Sequence, residues 1–321
     1  MTYHMDYDIQ IGNYKVQTLK SVRIIRSVEQ LSDTATIELP GTLINEALDV
    51  EGKIHRGDAV SIKLGYRQIG LRTEFNGYLK AIKTDNTKII LECEDELFLW
   101  DVALKNEQLT NVSLKTLLHK VAQQVNGKYK VLCDYDFTYS KFTISHATGL
   151  DVLKKVQEET KANIFFDGEF LIVTPMYSNN SWSGVTVKYD MSINVISSEL
   201  KYVKASDKKI KVITKYTDAA GKMHKSEVGV DGGVKIEKVL TSSDSASLKQ
   251  AAESEYNLWC YDGYEGSLTG WMLPYCQPTD VAEIRDRAQQ YKNGRYYIVA
   301  TEVDFSNGGG SRKITIGKKM N

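Results

Sequence analysis

One β-type pattern occurs at both ends of this 321-residue chain, and it limits the available folds more than any other feature. Near the start the sequence runs His55-Arg56-Gly57-Asp58-Ala59-Val60-Ser61-Ile62, followed by strand-like stretches at 75–84 and 88–92. Near the end it runs Gln277-Pro278-Thr279-Asp280-Val281-Ala282-Glu283-Ile284, followed by similar stretches at 297–305 and 313–317. Asp58 and Phe75 are seventeen positions apart, and so are Asp280 and Tyr297. Upstream, Ser32-Asp33 within residues 31–37 is matched by Ser206-Asp207 within residues 205–211. The order predicts one β-rich module used twice. Such a plan suits a ring-building protein better than an enzyme.

The fold class expected is α+β, mainly β, with two similar small β-barrel modules separated by an α+β insert. The first module is read over 1–96, the insert over 97–176 and the second module over 177–321. In the first, residues 34–39 alternate with period 2, and 58–64, 74–83 and 88–93 read as further strands with turn residues Asp85 and Asn86 between the last two. In the insert, Asn111 or Ser113 caps a helix carrying Leu114, Leu117, Leu118, Val121 and Val125, and Gly127 follows its end. A second helix is capped by Thr148 with Asp151 three residues on, a capping box. Asp167-Gly168 between two apolar runs signals a hairpin. In the last third, residues 178–183 are polar and loop-like, a hairpin turns at residues 218–221 and a helix runs from about 245 to 256. Val281, Ile284, Arg285 and Ala288 also fit helical spacing, and the repeat alone favours a strand there.

Charge and motif content narrow the function classes. The chain holds 41 basic and 41 acidic residues, so it lacks the surplus that neutralising a phosphate backbone requires. No apolar run approaches the roughly 20 residues of a membrane helix, and the first residues lack the basic flank and apolar stretch of a signal peptide. Synthesis in a bacterial cytoplasm is expected. Cys93, Cys133, Cys260 and Cys276 show no metal or redox spacing and read as free thiols. The five histidines are scattered, and no catalytic His motif or phosphate-cradling loop leading into a helix occurs. Glu92, Glu94 and Glu96 would share one face of a strand and are read as solvated. No catalytic residue, cofactor or metal is expected. Gly308-Gly309-Gly310 reads as a hairpin loop.

Dense aromatics between Tyr256 and Tyr264 fit either a core or a protein interface, and a sugar or base platform is a third option. The candidate interface residues are Phe75, Tyr78, Leu79 and Ile82 in the first module, Tyr297 and Val299 in the second, and Trp259, Tyr261 and Tyr264 in the aromatic stretch.

Arg56-Gly57-Asp58-Ala59-Val60-Ser61-Ile62 with Phe75-Asn76-Gly77-Tyr78-Leu79 resembles the baseplate hub proteins of contractile-tailed phages, the late control gene D or Mu-type 43-kDa tail proteins. Residues 264–271, Pro278-Thr279-Asp280-Val281 and 296–303 are similar to the second barrel of that family. The resemblance implies a homotrimer whose six barrels form a ring between the tail tube and a membrane-piercing spike. It implies the spike protein and the tube or other baseplate proteins as partners, and incorporation into a virion tail or injection machine. The hub of a type VI secretion system is the alternative within this class, with the spike expected as a separate chain. Outside it stand a cell-wall hydrolase, which would need an acidic pair or metal site in a cleft, and a nucleic-acid-binding barrel, which would need cations among exposed aromatics.

Overall fold

The computed structural model describes residues 3–41, 50–84, 87–175, 185–217, 221–240 and 245–320. The chain divides into two compact units: Met1–Phe98, Ser181–Leu200 and Gly266–Asn321 form one, and Leu99–Asn180 with Lys201–Glu265 form the other. In chain order the strands of the first stretch are β1 (Met5–Ile11), β2 (Tyr14–Lys15), β3 (Ser21–Ser27), β4 (Thr34–Pro40), β5 (Ala59–Tyr66), β6 (Gly70–Thr84) and β7 (Lys88–Glu94). The middle stretch carries β8 (Glu107–Ser113), helix α1 (Leu114–Val125), β9 (Lys130–Cys133), β10 (Thr138–Ile144), helix α2 (Gly149–Thr160), β11 (Asn163–Asp167) and β12 (Phe170–Thr174). Then come β13 (Thr186–Asp190), β14 (Val195–Val203), β15 (Ile210–Thr217), β16 (Met223–Gly229), β17 (Val234–Val239) and helix α3 (Ser245–Trp259). The chain closes with β18 (Gly263–Trp271), β19 (Val281–Arg285), β20 (Gly294–Ser306) and β21 (Gly309–Met320).

The first unit is built on one sheet whose path runs β14-β18-β21-β20-β3-β4-β7-β6-β5-β1-β2, with β19 on β20 and β13 beyond it. Period-2 alternation explains the fit. Ile9, Ile24, Ile37, Ile62, Leu79 and Leu91 point to one side and form a core with almost no exposure. Each such side chain contributes roughly 1.5–3 kcal/mol by leaving water.

Both ends of the chain thus share a continuous sheet, and among the described residues no path closes into a separate barrel. The junction follows from strand length. β20 is 13 residues long and overshoots its pairing with β19, so that residues 300–306 have a side open to β3.

The second unit holds smaller sheets. β8 pairs antiparallel with β10, with α1 and β9 between them in the chain. β12 lies between β11, antiparallel, and β9, parallel. The β11–β12 turn is the Asp-Gly hairpin read from the sequence. Ser113 caps α1, its hydroxyl accepting from Thr116 N–H, and Thr148 with Asp151 forms the reciprocal capping box of α2. β15 is the central strand of a third sheet between β16 and β17.

That third sheet corrects one expectation. Residues 205–211 are not a counterpart of 31–37, because Ala205–Asp207 is a short 3-10 turn leading into β15, whereas 34–40 forms β4 inside the large sheet. A Ser-Asp pair ahead of a strand is turn chemistry and recurs without common ancestry of the strands. The loop read at 178–183 and the hairpin tip at 218–220 lie outside the described residues; β15 and β16 pair antiparallel on either side of that tip, with Tyr216 opposite His224. Val281–Arg285 is a strand, parallel to β13 and antiparallel to β20.

Candidate assembly strands and their turns

The two ends of the sheet have the same internal order. Taken in chain order, β3, β4, β5, β6 and β7 lie side by side as first, second, fifth, fourth, third, and so do β14, β18, β19, β20 and β21. The arrays differ at their rims: β1 runs antiparallel to β5, whereas β13 runs parallel to β19.

Turn chemistry matches at the entry to the third strand of each array. His55-Arg56-Gly57-Asp58 and Gln277-Pro278-Thr279-Asp280 both put a positive φ at the third residue, +92° at Gly57 and +79° at Thr279. In both, the aspartate closes the turn through its side chain: His55 N–H donates to Asp58 Oδ2 at 2.7 Å, and Gln277 N–H to Asp280 Oδ2 at 2.9 Å. Both turns exchange two backbone hydrogen bonds with the fourth strand. Gly57 N–H donates to Leu79 O and Leu79 N–H to Asp58 O; Thr279 N–H donates to Ile298 O and Ile298 N–H to Asp280 O. Directly after those residues both fourth strands carry a register shift, between Leu79 and Ala81 and between Ile298 and Ala300. A β-bulge bends its strand and re-aims the residues beyond it.

These contacts replace the equal seventeen-residue spacing as the measure of equivalence. Ala59 lies opposite Tyr78, and Val281 opposite Tyr297, so Tyr78 rather than Phe75 corresponds to Tyr297. The first array's hairpin is longer and holds an extra bulged residue, Glu74, between the pairs Ile62–Phe75 and Lys63–Thr73.

The candidate interface side chains fall into two groups. Phe75, Leu79, Tyr297 and Val299 are buried in the core of the first unit, and Tyr261 and Tyr264 are buried in the second. Tyr78 and Ile82 are half-buried, and Trp259 is exposed. Tyr78 stacks on Phe98 at 5.8 Å, and Trp259 Nε1 donates to the buried carboxylate of Glu255. The aromatic stretch is divided by secondary structure: Tyr256 and Trp259 end α3, and Tyr264 begins β18. A strand was legible in the sequence only at 193–196, the start of β14, because Ser197, Ser198 and Glu199 in its middle leave little apolar content to mark the rest.

Two glutamates of the acidic run are ion-paired across neighbouring strands. Lys83 reaches Glu92 at 2.5 Å and Lys80 reaches Glu94 at 2.9 Å, both across β6 and β7. Asp95 differs. Its carboxylate is buried beside Asp33 and accepts N–H bonds from Asp33 and Leu97. Burial first, and the charge of Asp33 second, push it up to about 8. Among the described residues no group of three or more His, Cys, Asp or Glu side chains is placed to hold a metal ion, and no helix is long and apolar enough to cross a membrane. All four cysteines are free, with Cys93, Cys260 and Cys276 buried.

No protein-family model matches the sequence, and no curated protein matches it. Solved structures do. The 43-kDa tail protein of prophage MuSo2 from Shewanella oneidensis aligns over 97% of both chains, with a TM-score of 0.65 and 15% identity. The fold is that of the prophage tail proteins. A tail protein from Neisseria meningitidis aligns over 99% of this chain and 97% of its own, with a TM-score of 0.71 and 12% identity. An E. coli component of the type VI secretion system, described as similar in structure to the phage T4 tail proteins gp27 and gp5, aligns over 98% of this chain and 77% of its own. Its TM-score is 0.58 at 9% identity. The tail-protein fold thus agrees with the family resemblance read from residues 56–62 and 264–303.

Proposed function

We propose that this chain is the structural hub of a contractile tail or injection machine, a non-enzymatic ring protein that joins a tail tube to a membrane-piercing spike. The observation that carries the reading is the repeated five-strand array, with its matched turns at Asp58 and Asp280, inside a fold shared end to end with a prophage tail protein. We take the two arrays as copies of one module. A chain with two such modules offers two similar docking surfaces, so three chains offer six. A three-fold spike could then meet a six-fold tube through one protein. Spike, tube and a second and third copy of the chain are the partners in this reading, with assembly into a virion tail or a secretion machine.

The test is a mass measurement combined with electron microscopy of particles at high protein concentration. The reading expects three chains in a ring with a central opening and pseudo-six-fold density. A chain that stays monomeric at its highest soluble concentration, with its spike present, would end it.

A further inference from the structure

Four asparagines of the chain stand directly before a glycine: Asn76, Asn126, Asn293 and Asn307. In such a pair the glycine nitrogen can attack the asparagine side chain, because no Cβ screens it. The ring closes only after the backbone between the two residues turns until that nitrogen faces the side-chain carbon. The fold decides which pair is free to turn.

Three pairs are held. Asn76 and Gly77 lie inside β6 opposite Ser61 and Val60, and Gly77 is packed against Glu94 O on the β7 side. Asn126 follows the last residue of α1. There Gly127 N–H donates to Ala122 O at 3.1 Å, and Asn126 Oδ1 accepts from Lys128 N–H at 3.0 Å. Asn293 Oδ1 accepts from Asp286 N–H at 2.6 Å, and Gly294 is paired with Ile284 at the start of β20. Turning any of these breaks contacts that fix a strand or a helix end.

Asn307 differs. Ser306 and Gly309 are the last pair of the β20–β21 hairpin, so Asn307-Gly308 is the whole of its loop. Asn307 is exposed, and its carboxamide is in no hydrogen bond among the described residues. Gly308 N–H donates to a side chain, Ser306 Oγ at 3.2 Å, so its release leaves the strand pairing intact. The space around Gly308 is open: a Cβ there would meet only Ser306 Oγ, at 3.7 Å. Exposed loop tips of this kind are where a chain yields to local change.

We propose that Asn307 is a self-modification site, at which the hairpin tip converts to a mixture of aspartyl and isoaspartyl linkages. Gly308 N gives up its proton to solvent and bonds to Asn307 Cγ. The Cγ–Nδ2 bond breaks, ammonia leaves, and a succinimide joins the two residues. Water then opens the ring. Cleavage between Gly308 N and Cγ leaves an ordinary aspartyl peptide, and cleavage between Gly308 N and the Asn307 backbone carbonyl carbon leaves the chain running through Cγ. One water is consumed and one ammonia released, with no oxidant or cofactor. Either product places a carboxylate at the tip, and the isoaspartyl form also lengthens the loop by a methylene. The conversion needs no partner chain and is independent of the hub reading.

The experiment incubates the full folded chain in warm, mildly alkaline buffer and follows each Asn-Gly peptide by mass spectrometry. An isoaspartyl methyltransferase is the probe for the product linked through Cγ. Asn307 should convert about tenfold or more faster than the other three, the factor imposed by one hydrogen bond of ordinary net strength that must open before reaction. In urea the four rates should converge. Gly308→Ala puts a methyl group into open space yet screens the nitrogen, so conversion at Asn307 should slow while circular dichroism stays unchanged. Faster conversion at any of the other three, a product at Asn307 free of isoaspartate, or a lead at Asn307 that persists in urea overturns the assignment.

Discussion

Arg312 and Glu74, 238 positions apart in sequence, form an ion pair at 2.6 Å with side-chain exposures of only 2% and 4%. The bulge in β6 makes this possible. Strict alternation would send Glu74 outward beside inward Phe75, but as the unpaired extra residue it turns in with its neighbour, and both are buried. Arg312 also donates to Met272 O at 3.3 Å and Cys276 O at 3.2 Å, and lies over the Tyr275 ring. The guanidinium is thus satisfied on several sides.

Removing one member of this pair leaves the other buried and uncompensated, which costs about 3–5 kcal/mol. Arg312→Met should therefore lower the urea midpoint sharply. Glu74→Gln keeps an acceptor for the guanidinium and should cost less. The double change Glu74→Leu with Arg312→Met should recover most of the loss, as apolar replacements of buried ion pairs do. A double variant no better than Arg312→Met alone would show that the bulge itself requires the charge.

Asp95 gives the fold a pH dependence with a definite sign. Its folded pKa of about 8 lies above the ordinary carboxylate value of about 3.9, so folding takes up a proton between the two. The stabilising contribution is fully present below about pH 4 and is lost as pH rises through about 8. Denaturant titrations at pH 5, 6.5 and 8 should show falling stability, by up to a few kcal/mol. Asp95→Asn should be less stable overall, since it offers one acceptor oxygen where two N–H groups now donate, yet should flatten this slope. An unchanged slope in the variant would assign the pH dependence to other groups.

Much of this fold was legible in the sequence, and the gaps have physical causes. Both helix caps in the insert, the Asp167-Gly168 hairpin and the turns before Ala59 and Val281 are local chemistry, readable from a few adjacent residues. The likeness of the two turns was visible for the same reason, because Asp58 and Asp280 act on their own turns. The register of the strands that follow them was not. Counting from Asp58 to Phe75 assumes a hairpin of fixed length, and the bulge at Glu74 breaks that assumption. The continuity of the sheet through β3 and β20 was hidden because pairing between strands more than 270 residues apart leaves no periodic trace. The interface residues suffered from a related ambiguity. Phe75, Leu79, Tyr297 and Val299 are apolar on well-formed strands, which marks core and contact surface alike, and burial decided for the core. Most of β14 is polar, so its strand pattern was legible only at its start, at 193–196.

The paired turns yield the last prediction, because their third residues differ. Gly57 adopts φ +92° with no steric conflict, whereas Thr279 holds +79° with a branched Cβ, a conformation that costs roughly 1–3 kcal/mol in a non-glycine residue. Gly57→Ala should therefore destabilise by about 1 kcal/mol or more, and Thr279→Gly should be neutral or stabilising, since relief of strain offsets the loss of a buried side chain and the added freedom of the unfolded chain. The aspartates should behave alike and not oppositely. Asp58→Ala and Asp280→Ala each remove the acceptor of one turn N–H, costing about 1–3 kcal/mol, with the larger loss at Asp280, which is buried where Asp58 is half-buried. Urea unfolding of the four single variants tests all of this. A loss at Gly57→Ala with none at Thr279→Gly, and losses at both aspartates, are what two turns of the same geometry built from different residues require. Destabilisation by Thr279→Gly as large as by Gly57→Ala would mean that the Thr279 side chain supports its turn in a way Gly57 has no need of.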